Sequence, residues 1–168
     1  MAEVLGGFVR VLKARGTAPG DSEKPVSIRI GWLTPMIALL VVLDLLSSWM
    51  LAWLSREVMP LNFAALLGGT MATALYYIAA SLVWPDDARE WPELDIWFDR
   101  HKSQIGGAIA LANVGFLAIL WFRGAQPFDL AFQVAYIVLA ALLILTRRRW
   151  ESGTVMALML GIIALGWL

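Results

Sequence analysis

Five apolar stretches divide this chain, each close to the length that crosses a lipid bilayer. They cover 31–54, 61–83, 105–122, 128–146 and 152–168. A spanning helix needs about 20 apolar residues at about 1.5 Å of rise each. The fifth stretch is the shortest and would reach roughly 25 Å as a helix. It must cross where the bilayer thins, or pack with little tilt against its neighbours. Composition argues the same way. Charged residues make up 15% of the 168 residues, against about 25% in soluble domains. That is too little polar surface to cover a soluble fold, and the mean hydropathy of +0.73 makes lipid the natural solvent. The expected fold class is all-α, a bundle of about five transmembrane helices.

The basic residues test this map independently. Arg10, Lys13, Arg15, Lys24 and Arg29 precede the first stretch, and Arg56 alone follows it. Arg89, Arg100 and Lys102 lie in the second connection, Arg123 alone in the third, and Arg147, Arg148 and Arg149 in the fourth. Threaded through five spans, eleven positive charges fall on one side and two on the other. The richer side is cytoplasmic by the positive-inside rule, so the chain is expected to start inside and end outside. Adding or removing one central span would break the alternation.

The sequence divides into a basic, amphipathic segment over 1–29 and a membrane domain over 30–168. In the first, Val4, Leu5, Phe8, Val9 and Leu12 form one helical face opposite Arg10, Lys13 and Arg15. This predicts an interfacial helix on anionic lipid, followed by a flexible turn through Gly16-Thr17-Ala18-Pro19-Gly20-Asp21-Ser22. The positive charges follow the short apolar run, the reverse of a cleaved signal peptide. Pro60 is placed to open the second span. Pro85 ends it by disfavouring helix at Trp84. Trp32, Trp53, Trp84, Trp121 and Trp167 fall near span ends and read as interfacial anchors. The longest connection predicts a surface helix over about 92–102. Trp91, Leu94, Trp97 and Phe98 recur there at helical spacing, with the rings expected in lipid and the acids in water. That face is the candidate docking surface.

Several chemistries are excluded. The chain has no cysteine, so disulfides, thiolate catalysis and Cys-based metal sites are absent. A single histidine, His101, cannot supply a two-histidine metal site, and it reads as a solvated interfacial residue. No lysine lies within a span to form a deep Schiff base. Zero net charge offers no field for nucleic acid. No phosphate loop, nucleophile elbow or metalloprotease motif occurs. No catalytic residue, cofactor or metal ligand is expected. The acids Asp86, Asp87 and Glu90 read as a solvated face or as a surface site for a divalent cation.

Asp44 is the most informative residue, because it lies near the middle of the first span. A carboxylate there costs about 2.5–3.5 kcal/mol on the translocon scale. It is expected to face the bundle and find a partner, or to be protonated. Depth along the spans nominates Asn113, Thr70, Thr73 and Ser47 as a midplane polar cluster with it. Gln133 lies nearer the outside, and Tyr76 and Tyr77 nearer the inside. Two readings stand open: a proton or cation site, and hydrogen-bonded glue between helices. The small residues Ala64, Ala65, Gly68 and Gly69, and Gly106, Gly107, Ala108 and Ala110, predict close helix packing.

Four features recur in order along the chain. They are an arginine-rich stretch before a Trp-containing span; the run Tyr76-Tyr77-Ile78-Ala79-Ala80-Ser81-Leu82-Val83-Trp84-Pro85-Asp86-Asp87; the close on Phe98-Asp99-Arg100-His101-Lys102; and Thr146-Arg147-Arg148-Arg149 after a span. This layout resembles a broad group of small bacterial inner-membrane proteins of unknown function. The resemblance covers most of the chain and implies a multi-pass protein of the bacterial inner membrane. Members of that group tend to have one further span before the basic stretch, and Val4 to Arg15 match the segment just after it, so either this protein lacks that span or the sequence starts downstream of it. The resemblance supplies no catalytic residues.

The functional expectation is a non-enzymatic membrane protein acting by contact, as an accessory subunit of a larger complex or as a homo-oligomer. Its partners are the bilayer and other membrane subunits or copies of itself. The alternatives are a small proton- or cation-coupled transporter or channel using Asp44, and a lipid- or quinone-binding bundle with a groove floored by Tyr76 and Tyr77. A membrane enzyme acting on lipid, using the acids of 86–99, is a further alternative.

Overall fold

The computed structural model describes residues 2–16, 28–57 and 62–166. The turn expected over 17–22, Lys24, Pro60 and Trp167 lie outside the described residues. The elements among them are all helices: α1 (Ala2–Gly16), α2 (Leu33–Leu54), α3 (Phe63–Val83), a 3₁₀ turn (Ala88–Glu90), α4 (Leu94–Phe122), α5 (Pro127–Leu145) and α6 (Arg149–Gly166). Helices α2, α3, α4 and α5 are long and apolar enough to cross a membrane.

Local chemistry sets the helix ends. Asn62 Oδ1 accepts from Ala65 N (2.9 Å) and caps α3, satisfying one of the donors a helix start leaves free. Helix α3 stops at Trp84, in extended backbone before Pro85. Pro127 opens α5, where its missing N–H costs nothing. Glu151 accepts from Arg148 N (3.1 Å) and Arg147 N (3.0 Å), closing the start of α6. Helix α6 begins at Arg149, three residues before the expected fifth stretch.

The two ends of the bundle sort the chain's connections. At one end, residues 28–30 run beside 92–94, with Arg29 N donating to Pro92 O (2.9 Å) and Leu94 N to Arg29 O (3.1 Å). Arg149 joins them through an ion pair with Glu93 and a longer one to Asp99 (3.6 Å). At the opposite end, Arg123 Nη1 donates to Ser55 Oγ (3.3 Å), linking the α2–α3 and α4–α5 connections. Helices α2, α4 and α6 thus start at one common end, and α3 and α5 return to it.

The expected surface helix over 92–102 and the expected third span over 105–122 are one 29-residue helix, α4. Lys102-Ser103-Gln104 offers neither glycine nor proline to break it, so the hydrogen-bond ladder continues. At roughly 43 Å it is longer than the ~30 Å hydrocarbon core. The face expected to dock partners is turned inward. Leu94 and Phe98 are fully buried in the chain's own core. Trp91 and Trp97 are half-buried, and Trp97 Nε1 donates to Leu82 O (2.8 Å). Asp95, expected in water, is buried and accepts from Thr34 N and Oγ1 (both 3.2 Å). It caps α2 from a neighbouring helix. His101 is half-buried, its ring 3.8 Å from that of Trp97.

The apolar face of α1 also divides. Val4 and Val11 are buried while Leu5, Phe8, Val9 and Leu12 stay exposed. Gly7 allows the close approach: a Cβ there would overlap the Trp84 side chain. Trp84, expected at the lipid interface, is therefore covered by α1. Trp32, Trp53 and Trp121 remain exposed. Of the small residues, Gly106 sits in a tight α4–α5 crossing, where a Cβ would lie 3.0 Å from Ala140 O. Gly68, Gly69 and Gly107 meet no neighbour within 4 Å.

Candidate functional site at Asp44

The buried core is uneven along the bundle. Large fully buried side chains, among them Leu33, Ile37, Leu40, Ile105 and Ile109, occupy the first halves of α2 and α4. That half is dry. Where it ends, a buried polar network begins, and Asp44 stands at the boundary.

Four helices build the network. Asp44 Oδ2 accepts from Tyr76 Oη (2.9 Å) and from Asn113 Nδ2 (3.0 Å). Tyr76 has one proton and gives it to Asp44, so Ser48 donates to Tyr76 Oη across 2.6 Å. Asn113 Nδ2 also reaches Ile109 O (3.0 Å) and Tyr76 Oη (3.3 Å). Its carbonyl accepts from Gln133 Nε2 (2.8 Å), which also reaches Asn113 O (3.1 Å). Asp44, Tyr76 and Asn113 are all buried. The bonds from Tyr76 and Asn113 fall on one oxygen of the carboxyl.

Beside this network lies Tyr136, only 3% exposed, with its hydroxyl turned to the Asp44 carboxyl. The approach is looser than the bonds from Tyr76 and Asn113.

The network floors a cleft of about 420 Å³ between α2, α4, α5 and α6. Asp44, Asn113 and Gln133 lie in its depth. Leu54, Leu120, Asp129 and Gly166 mark its mouth, at the end away from the dry core. No lysine or arginine lines it among the described residues. The buried carboxyl therefore faces neutral donors and no fixed cation. An isolated ion in low dielectric is expensive, so a proton or a cation has to neutralise it.

The sequence-nominated residues divide sharply. Asp44 and Asn113 meet. Thr70 and Thr73 do not: both are exposed, and their hydroxyls donate to Leu66 O and Gly69 O of their own helix (2.9 Å each). Ser47 lies on the cleft wall and donates to Leu43 O (2.9 Å); Ser48 takes the expected place in the network. Gln133 and Tyr76, expected towards opposite ends, both join the centre. Tyr77 is exposed, so the two tyrosines do not floor one groove. Sequence reasoning missed Ser48, Tyr136 and Asp129. The available signal was spacing: Asp44 and Ser48 are i,i+4, and Gln133 and Tyr136 are i,i+3.

Among the described residues, no three His, Cys, Asp or Glu side chains gather as a metal site. No family model matches the chain, and no similar curated protein or solved structure was found.

Proposed function

We propose that this chain is a multi-pass protein of the bacterial inner membrane that moves protons or cations through an Asp44-centred site. The observation that carries the reading is a buried carboxyl with no cationic partner at the floor of a one-sided cleft. Access from one end and dry packing at the other is the arrangement expected of one state of an alternating-access carrier. The N-terminus is cytoplasmic, because the basic residues gather at the end where α2, α4 and α6 begin. Helix α6 makes the fifth crossing. It starts beside Glu93 and ends beside Leu54 and Leu120 at the cleft mouth, which supports a full traverse.

The test is flux in proteoliposomes, read with a pH-sensitive dye under imposed proton and monovalent-cation gradients. Asp44→Asn is expected to lower flux at least tenfold while keeping the size-exclusion profile. A stable Asp44→Leu variant with unchanged flux would mean that the carboxyl serves only packing.

Action by contact, as an accessory subunit or homo-oligomer, is a second reading supported by a different observation. The first half of α3 is bare, with Phe63, Leu66, Leu67 and Met71 exposed and Gly68 and Gly69 without neighbours. Gentle extraction with an affinity tag tests it: a partner in fixed ratio supports this reading, and a lone monomer removes it.

A further inference from the structure

The cleft is larger than an inorganic ion needs. Its ~420 Å³ lies within the roughly 300–1,000 Å³ range of small-molecule sites. A proton or a bare metal ion would leave most of that space unfilled. The walls are apolar and aromatic: Phe116, Phe132 and Tyr136 line the interior, and Phe128 stands at the mouth. Phe128 and Phe132 lie ring to ring at 4.6 Å. Two carboxyls, Asp44 at the floor and Asp129 at the mouth, are the charged groups in the lining, and nothing basic opposes them. Such a lining repels anions.

We infer that the cleft binds a lipophilic organic monocation, an ammonium carried on an apolar or aromatic body. The inference rests on the Asp44 carrier reading and names its substrate class. The ring faces attract a cation through their quadrupoles, while their area takes up the apolar body. Asp44 and Tyr136 bring their oxygens together in the depth of the cleft, where the positive end of the ligand would sit. One buried carboxyl at the floor matches a single positive charge. Asp129 at the rim draws the ligand in, and its position in the first turn of α5 also complements that helix terminus.

The experiment is calorimetric titration of the full chain in lipid nanodiscs with benzyltrimethylammonium. Neutral neopentylbenzene and anionic benzenesulfonate serve as competitors of similar shape. Saturable one-to-one binding is expected, displaced by neither competitor. Asp129→Asn and Phe132→Leu, both away from the buried network, should each weaken binding about threefold or more. Asp44→Asn should weaken it at least tenfold. Absence of saturable binding, equal displacement by neopentylbenzene, or unchanged affinity in both Asp129→Asn and Phe132→Leu would overturn the inference. Asp44-dependent proton flux without probe binding defeats this inference alone. Probe binding without any flux leaves the site standing and defeats the carrier reading.

Discussion

The Asp44 network gathers Tyr76 and Asn113 on one carboxyl oxygen, and this sets what each substitution does. Tyr76→Phe removes one donor to Asp44 and strands Ser48. Interhelical hydrogen bonds of this kind in membrane proteins average about 0.6 kcal/mol with a maximum near 1.7. A loss in that range is expected by unfolding in mixed micelles. Asn113→Ala should cost more, because Asn113 connects two partners, Asp44 and Gln133. Combined with Gln133→Ala it should cost clearly less than the sum of the two single changes, as members of one network do. Additive losses would show that the two side chains do not act together. Gly31 is set by contact: a Cβ there would overlap the Asp95 carboxyl that caps α2. Gly31→Ala is expected to destabilise by about 1–3 kcal/mol, seen as a lowered Tm in detergent.

At the scale of elements, helix ends and crossings carry the specificity. The start of α6 depends on Glu151, whose carboxyl is held below its ordinary value of 4.5 by the backbone N–H groups of Arg148 and Arg147. A carboxyl depressed by folding contributes stability above its unfolded value and loses it as pH falls through the folded one. The Tm gap between wild type and Glu151→Gln should therefore be open at neutral pH and close as pH is lowered below 4.5. A gap independent of pH would rule out the charge as its source. The neighbouring Arg149 guanidinium is held above its usual range by its hydrogen bond to Glu93. The α4–α5 crossing depends on Gly106. Valine there would press on Ala140 O and Ile144, and a loss of about 1–3 kcal/mol is expected. The same change at Gly107, which meets no neighbour, should cost little within this chain.

At the scale of the whole molecule, the orientation has a direct test, because the chain has no native cysteine. Single cysteines at Ala125 and Asp86 lie in connections at opposite ends of the bundle. With a membrane-impermeant maleimide added to intact cells, Ala125→Cys should label and Asp86→Cys should label only after permeabilisation. The reverse pattern would invert the assigned topology and place the cleft mouth in the cytoplasm.

Hydropathy and charge made the bundle legible, because lipid imposes a length and a sign rule on each span whatever its neighbours are. The end of α3 was legible for a local reason: Pro85 disfavours helix at the residue before it. Asp44 was legible because a mid-span carboxyl is anomalous in any arrangement, and Asn113 was found by depth alone. Tertiary structure decided everything that depends on which face meets which. Thr70 and Thr73 have the depth of Asp44 but lie on an uncovered face of α3, and depth carries no azimuth. Leu94, Phe98 and Asp95 show the spacing of a surface helix, yet residues 28–34 cover them, a contact across more than sixty positions that no local pattern encodes. The cleft is the clearest case. It exists because the large apolar side chains fill one half of the bundle and leave the other half open, and that imbalance appears only when four helices are set side by side.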